Sequence, residues 1–377
     1  MLKKILLINT GGDTDELFDI FQELDREHFY FTVLSNQESV LLSAQKRGWS
    51  SKKLLSPIIT SKGKKFFLVL WPLYFLIFLP YVAILKWRDH YQIIFCCNFF
   101  EKAVFTPLAH LLSIKTLWFT YPETELTKKN KTSIDLLRRL SVWTRIIAPT
   151  YATKQKLLAA GFKEELTKTI TLGANLNLYR HQDNIFSKIA TTENHWPQRK
   201  FFTIGTVTRL EQKQNIETLF NATKKLLDVV PFPQIIIVGN GQERKNLTWL
   251  AKKMNIENFV WFVGEQTSLK KWLDTSDIFV VTNSAIRLPD LNIIIRAMAA
   301  GLPIIGPANT GLEKIIVNNE NGILIESNNS EDLAQAIIKL QQRKDWRQLI
   351  NEKNKNKATT EFSIDKTLES FKQLFNS

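Results

Sequence analysis

The sequence predicts an α/β protein built from two Rossmann-like units. Strand-like apolar runs alternate with helical patterns along most of the 377 residues, and the alternation restarts after a polar gap at 181–200. The clearest single unit is Ser276–Ile305, SDIFVVTNSAIRLPDLNIIIRAMAAGLPII, which reads as strand, loop, helix and next strand. Its apolar run Ile278–Val281 is followed by turn chemistry over Asn283–Asp290. Asp290 or Asn292 can cap the helix, and Gly301 with Pro303 is the expected stop. A loop that enters a helix at the end of a parallel strand presents free backbone N–H groups and the positive end of a helix dipole, which is where α/β proteins hold phosphate.

The other elements follow in order. Residues 1–9, MLKKILLIN, read as a first strand; their apolar run is too short for a signal segment. The turn Thr10-Gly11-Gly12-Asp13, a helix to about Arg26 and a strand at Tyr30–Ser35 complete the opening of the first unit. Strands are expected at Gln92–Asn98, Lys115–Thr120 and Arg145–Pro149, with helices at Glu101–Leu112 and Tyr151–Gly161. Beyond the gap, strand Phe201–Val207 leads into Thr208-Arg209-Leu210-Glu211-Gln212-Lys213 and a helix from about Asn215 to Asp228. Strand Gln234–Val238 ends in Gly239-Asn240-Gly241, with Arg244 one turn into a helix. Strands at Asn258–Val263 and Gly322–Ile325 and helices at Glu331–Leu340 and Ile364–Phe375 finish the pattern. The expected organisation is a first domain at 1–180 joined by the returning segment 360–377, a linker at 181–200 and a second domain at 201–359.

A hydrophobic content of 44% with 23% charged residues describes a globular chain with large cores. Cys96 and Cys97 are neighbours in a strand-like run, so their side chains point to opposite faces and both read as reduced core residues. With five His in all, nothing resembles a zinc constellation, and no metal or cofactor is expected. The net charge is +14, concentrated in residues 51–150, which hold 15 Lys and Arg against 5 Asp and Glu. No zinc finger, RNP-type strand or basic zipper accompanies this charge, which excludes nucleic acid as the expected partner.

An anionic membrane fits better, because Phe66–Leu85 is a run of twenty residues without a charge. Lys62, Lys64 and Lys65 precede it, and Lys86 and Arg88 follow. Pro72 and Pro80 interrupt the helix pattern, and a crossing would place strands of one sheet on opposite sides of a bilayer. The favoured reading is a monotopic element with Trp71, Tyr74, Tyr81 and Trp87 at headgroup depth and the cations on lipid phosphates; a buried core helix and a spanning helix are the alternatives. This places the protein in the cytoplasm, peripheral on the inner face of the cell membrane.

The ending RAMAAGLPII resembles the EAMAxGxPVI signature of family 4 glycosyltransferases, retaining enzymes that use sugar nucleotides. Arg209 and Lys213 stand at the spacing of that family's GRLxxxKG segment, Gly239, Gly241 and Arg244 match its VGxGxxR turn, and RIIAP (Arg145–Pro149) is similar to its IAVS strand. The resemblance implies the GT-B fold, two Rossmann-like domains facing a cleft, with the last helix crossing back to the first domain. It also implies metal-independent transfer of a sugar from a nucleotide sugar to a lipid-linked or envelope polysaccharide acceptor. Arg209 and Lys213 would then take the charge that develops on the departing diphosphate. Gly11, Gly12, Asp290, Leu291, Asn292, Ile293 and Glu313 would line the sugar-donor site with the Gly239–Arg244 turn. Glu123 stands beside the place of a family His and is a candidate contact to the transferred sugar. In the family's Glu-x7-Glu motif this chain carries Leu288 and Arg296, and Lys314 replaces a further Glu. These replacements keep a second function in play, a catalytically silent relative that binds or scaffolds.

Overall fold

The computed structural model describes residues 3–11, 15–25, 28–54, 63–120, 131–176, 201–212, 214–266, 268–283 and 288–376. Gly12, Glu123, Lys213 and the 181–200 stretch lie outside them. The chain divides into two compact units, Met1–Leu172 with Thr367–Ser377, and Gly173–Lys366.

The first unit holds a sheet of seven parallel strands, β1 (Lys3–Ile8), β2 (Phe29–Ser35), β3 (Ser50–Lys53), β4 (Ile93–Cys96), β5 (Lys115–Phe119), β6 (Thr144–Ala148) and β7 (Thr167–Thr169). Their order is β3-β2-β1-β4-β5-β6-β7, so the chain winds away from β1 in one direction and from β4 in the other. Its helices are α1 (Asp15–Asp25), α2 (Glu38–Lys46), α3 (Gly63–Trp87), α4 (Phe99–Leu111), α5 (Lys131–Leu140) and α6 (Tyr151–Ala159). Strands buried on both faces explain the near-continuous apolar runs of β1 and β4. Cys96 and Cys97 are both buried and form no disulfide.

The second unit holds six parallel strands, β8 (Phe202–Val207), β9 (Pro233–Val238), β10 (Val260–Gly264), β11 (Ile278–Val280), β12 (Ile304–Pro307) and β13 (Gly322–Ile325), in the order β10-β9-β8-β11-β12-β13. Helices α7 (Ile216–Leu226), α8 (Arg244–Lys253), α9 (Lys270–Thr275), α10 (Leu288–Ala299), α11 (Ser330–Gln342) and α12 (Lys344–Glu361) accompany them. The buried Asn354 of α12 bonds to the carbonyls of Leu302 and Asn321 at 2.8 and 2.9 Å, pinning this long polar helix to the loops around β12 and β13.

The last helix, α13 (Ile364–Asn376), begins in the second unit and ends in the first. Phe371 and Phe375 join a buried aromatic cluster with Phe21, Phe29 and Phe31, at centroid distances of 5.1 Å for Phe21–Phe371 and 5.4 Å for Phe29–Phe375. Lys3 and Lys115 donate to the carbonyls of Phe375 and Leu374 at 3.0 and 2.6 Å, satisfying the helix's last acceptors with positive charge. Burial, together with Lys3 and Arg145 nearby, holds the Lys115 ammonium below its usual range.

The apolar run behaves differently from the sequence reading in two respects. Helix α3 continues unbroken through Pro72 and Pro80 for 25 residues. Each Pro removes one backbone bond, while Phe78, Val82 and Leu85 bury fully into the core on the same helix, each worth about 1.5–3 kcal/mol. The aromatic side chains also point the other way. Trp71 donates to the Ala103 carbonyl at 2.9 Å, Tyr74 meets Phe100 edge-on at 5.6 Å, and burial pushes the Tyr81 hydroxyl up to about 12. Trp71 and Tyr74 thus pack on α4 and Tyr81 against the core beside them, which corrects their assignment to headgroup depth; Trp87 stays exposed. Lys64 and Lys65 lie in the first turn of α3, Lys86 lies 3.4 Å from the Ser113 carbonyl, and Arg88 pairs with Asp89 at 2.9 Å. Among the described residues, no helix is long and apolar enough to cross a membrane.

Candidate functional site

In an open parallel sheet the crevice lies where the winding reverses, outside the carboxyl ends of the strands. In the second unit that point falls between β8 and β11. A small pocket sits there, lined by Thr206 and Val207 of β8, by Thr282 and Asn283 just after β11, and by Asp290, Ile293 and Ile294 of α10. Its polar side chains, Thr206, Thr282, Asn283 and Asp290, are buried, as is Asn292 on the same helix α10. Thr282 Oγ1 and Asn292 Oδ1 have no hydrogen-bond partner among the described residues. A buried polar atom without a partner costs about 1–3 kcal/mol, which a ligand that supplies the partner recovers.

The loop after β8 is tied to this pocket from below. The buried Thr208 hydroxyl donates to Gln214 Oε1 at 3.0 Å and lies 3.3 Å from Asn283 Oδ1. Asn215, in the left-handed region at φ 53°, donates from Nδ2 to the Thr282 carbonyl at 3.3 Å. Leu210 is fully buried while Arg209 before it is exposed, its guanidinium with no hydrogen-bond or ion-pair partner among the described residues. The loop therefore anchors itself by its apolar residue and leaves the guanidinium available at the strand end.

Gly239 and Gly241 serve this anchoring. A Cβ on Gly239 would stand 1.9 Å from the Thr208 carbonyl oxygen, and one on Gly241 2.2 Å from that of Leu210. Gly239 also has φ +135°, a conformation open to glycine. The amides of Thr208 and Leu210 bond to the carbonyls of Val238 and Asn240, so the two loops zip together by backbone. Arg244 donates to the Phe262 carbonyl at 3.2 Å, which commits part of its guanidinium to the end of β10. The structure gives these three residues a supporting place beneath Arg209.

Helix α10 starts at Leu288, earlier than the sequence reading put it. Asp290 and Asn292 thus lie inside the helix rather than capping it. The amides of Asn292 and Ile293 fall beyond the first turn and have the carbonyls of Leu288 and Pro289 as helical acceptors, so the free first-turn amides move to the residues before them. Leu291 is buried in the core, and Ile293 faces the pocket. Arg296, one turn beyond Asn292, is half-buried, and its guanidinium has no partner among the described residues. Glu313 is exposed and accepts from the Gly311 amide at 3.0 Å, closing its own turn.

The corresponding point of the first unit lies between β1 and β4. There the fully buried Glu101 carboxylate accepts from the amides of Thr10, Cys97 and Asn98, the last two at 2.6 and 2.9 Å. Asn98 Nδ2 bridges Glu101 Oε1 at 3.2 Å and Asn9 Oδ1 at 2.7 Å, and the Gly11 amide donates to Asn9 Oδ1 at 3.1 Å. Burial pushes the Glu101 carboxyl up to about 7, with the N–H donors from Asn98, Thr10 and Cys97 pulling the other way. Gly11 is exposed, but its amide is committed within the protein. This arrangement was missed in the sequence although Asn98-x-x-Glu101 has capping-box spacing.

Residues 190–357 match the model of the family described as glycosyl transferases group 1. The matched segment contains the β8 loop, the glycine turn and α10, the three places where the motifs stand. An uncharacterized glycosyltransferase of Haemophilus influenzae is 28% identical over 49% of this chain and 50% of its own length. A lipopolysaccharide core biosynthesis glycosyltransferase of Rhizobium meliloti is 26% identical over 45% of this chain and 48% of its own. The chain thus spans about half the length of the curated relatives it matches. Among solved structures, Anabaena HepE in complex with UDP superposes with a TM-score of 0.77 at 18% identity, covering 100% of both chains. A glycosyltransferase from Rickettsia africae gives 0.80 at 16% identity over 99% of this chain and 98% of that one. At such identities the likeness concerns the fold, and the fold is GT-B.

Proposed function

We propose that this protein is a metal-independent retaining glycosyltransferase that moves a sugar from a nucleoside diphosphate sugar to a lipid-linked or envelope polysaccharide acceptor at a membrane surface. The observation that carries the reading is the second unit's pocket at the winding reversal, with exposed Arg209 at the end of β8 and unpartnered Thr282 and Asn292 beside it. Cleaving a glycosyl–phosphate bond leaves negative charge on the departing diphosphate, and a cation fixed at the strand end stabilises it as it forms. Arg209 supplies one such charge and Lys213, four residues on, a second. The Thr282 hydroxyl suits a phosphate oxygen, whereas Asn292 Oδ1 accepts only and suits a ribose or sugar hydroxyl. Relatives named for lipopolysaccharide core and poly(ribitol-phosphate) glycosylation support an envelope acceptor, and the UDP complex of HepE supports a uridine nucleotide.

Arg296 narrows the sugar donor. An unpartnered guanidinium where the family pattern has a Glu favours an anionic sugar such as a uronic acid. Turnover should be assayed across UDP-, GDP- and ADP-sugars, neutral and acidic, with the anomeric configuration of the product read by NMR. Conversion of an acidic-sugar donor that Arg296→Glu abolishes supports the reading, and an inverted product removes the retaining mechanism. Leu288, Arg296 and Lys314 also favour a second reading, the catalytically silent relative. Tight nucleotide binding with no turnover across the whole panel selects it.

A further inference from the structure

The outward face of α3 is apolar from Leu73 to Trp87. At 3.6 residues per turn, Trp71, Phe78, Val82 and Leu85 lie on the side packed against the core, whereas Leu73, Leu76, Ile77, Pro80, Ile84 and Trp87 lie on the opposite side. Leu76 is 67% exposed, Ile77 55% and Trp87 69%. No charged residue interrupts this stripe over about four turns. Soluble helices carry polar groups on such a face, and a continuous apolar one marks a surface that another phase or molecule covers.

The charges around the stripe select what covers it. Lys64 and Lys65 stand in the first turn of α3 and Lys86 in its last, so cations bracket an apolar centre. Asp89, the acid next to this end, is already paired with Arg88 at 2.9 Å. An apolar stripe between cationic ends complements an anionic lipid surface, with aliphatic side chains among the acyl chains and ammonium groups at the phosphates. Trp71 on Ala103, Tyr74 and Phe78 on Phe100, Phe78 on Phe105 and Lys86 beside Ser113 show one long side of α3 taken up by α4 and the segment after it. A helix held along its length in this way lies in the interface rather than across it.

We propose that the Leu73–Leu76–Ile77–Pro80–Ile84–Trp87 stripe is a lipid-docking surface that seats the first unit on an anionic membrane with α3 in the plane of the interface. The proposal deepens the membrane-surface reading above and rests on it for its partner. It differs from the sequence expectation in assigning the contact to aliphatic side chains, with Trp87 as its one aromatic.

The test is co-sedimentation of the full chain with vesicles of phosphatidylcholine alone or with phosphatidylglycerol, comparing wild type with Leu76→Glu/Ile77→Glu. Both sites are exposed, so the variant should keep its melting temperature, and UDP binding measured alongside reports the sugar-donor site separately. Wild type should bind the anionic vesicles, the variant should bind at least tenfold more weakly at equal salt, and 0.5 M salt should weaken wild type. Anionic binding unchanged in the variant overturns the stripe, and absence of wild-type binding overturns the lipid. Self-association that the variant abolishes, without wild-type vesicle binding, assigns the face to a second copy instead. UDP binding retained alongside any of these failures leaves the nucleotide-site reading standing apart from this one.

Discussion

Two sheets of the same winding hold opposite contents at their reversal points. Between β1 and β4, Glu101 takes the amides of Thr10, Cys97 and Asn98, and Asn9 takes that of Gly11. Those N–H groups are the ones a phosphate would seek at a strand end. Between β8 and β11 the described residues leave Thr282 Oγ1 and Asn292 Oδ1 unpartnered, and the unpaired guanidinium of Arg209 stands close by in sequence to the strand end. An internal carboxylate thus closes the first site to anions, while the second keeps polar groups available for one. The GT-B architecture alone makes the two halves equivalent; the side chains at the strand ends make them different.

The comparison breaks most severely if Glu101 is removed. Glu101→Ala strips the acceptors from three buried or half-buried amides and should cost about 3–5 kcal/mol in urea-induced unfolding. A loss below about 1 kcal/mol would mean that the amides find other partners and that the first site is not closed by this residue.

A pH titration of stability sharpens the same point. Glu101 keeps its proton in the folded state up to about 7 and loses it near 4.5 when unfolded. Its contribution to stability is therefore fully present below about 4.5 and is lost as pH rises to about 7, by up to about 3 kcal/mol, with no further change above. Glu101→Gln should flatten that slope. A wild-type stability that rises from pH 5 to 7 with a slope that Glu101→Gln removes would reverse the sign assigned to this burial.

At the other site the effects are on binding. Arg209→Ala should weaken UDP by about 1.5–3 kcal/mol, roughly ten- to a hundredfold, as read by calorimetry, while leaving the melting temperature unchanged. Equal affinity for wild type and variant would put the diphosphate elsewhere. The smallest effect belongs to Thr282→Val. Removing a buried hydroxyl without a partner should leave the unliganded protein as stable or more stable by about 0.5–1 kcal/mol, yet weaken UDP by a comparable amount. Lower stability of the unliganded variant would show that the hydroxyl has a partner of its own.

The sequence made the alternation of strands and helices readable, and with it the location of Arg209 and the glycine turn at strand ends. Strand order was not readable, since pairing β8 with β11 joins residues more than seventy positions apart, and so the two reversal points emerge only in three dimensions. Pro289-Asp290 looks like turn chemistry because both residues favour helix starts; the helix absorbs them into its first turn. In α3, a helix apolar on both sides offers no periodic contrast, so composition suggested aromatic anchors while packing against the core turned Trp71, Tyr74 and Tyr81 inward. Helix α12 escaped notice for the opposite reason, being polar along most of its length. Gly12, Lys213 and Glu123 lie outside the described residues and stay with the motif that named them.

The placement of Phe371 and Phe375 has a consequence for biosynthesis. Residues 173–366 can leave the ribosome and close their own core while the first unit still lacks the helix that fills its aromatic cluster and meets Lys3 and Lys115. Domains ordinarily mature in the order in which they are made. Here the part synthesised first is the part completed last, so the nascent N-terminal half lacks the packing of Phe371 and Phe375 on Phe21, Phe29 and Phe31 until residue 375 has emerged.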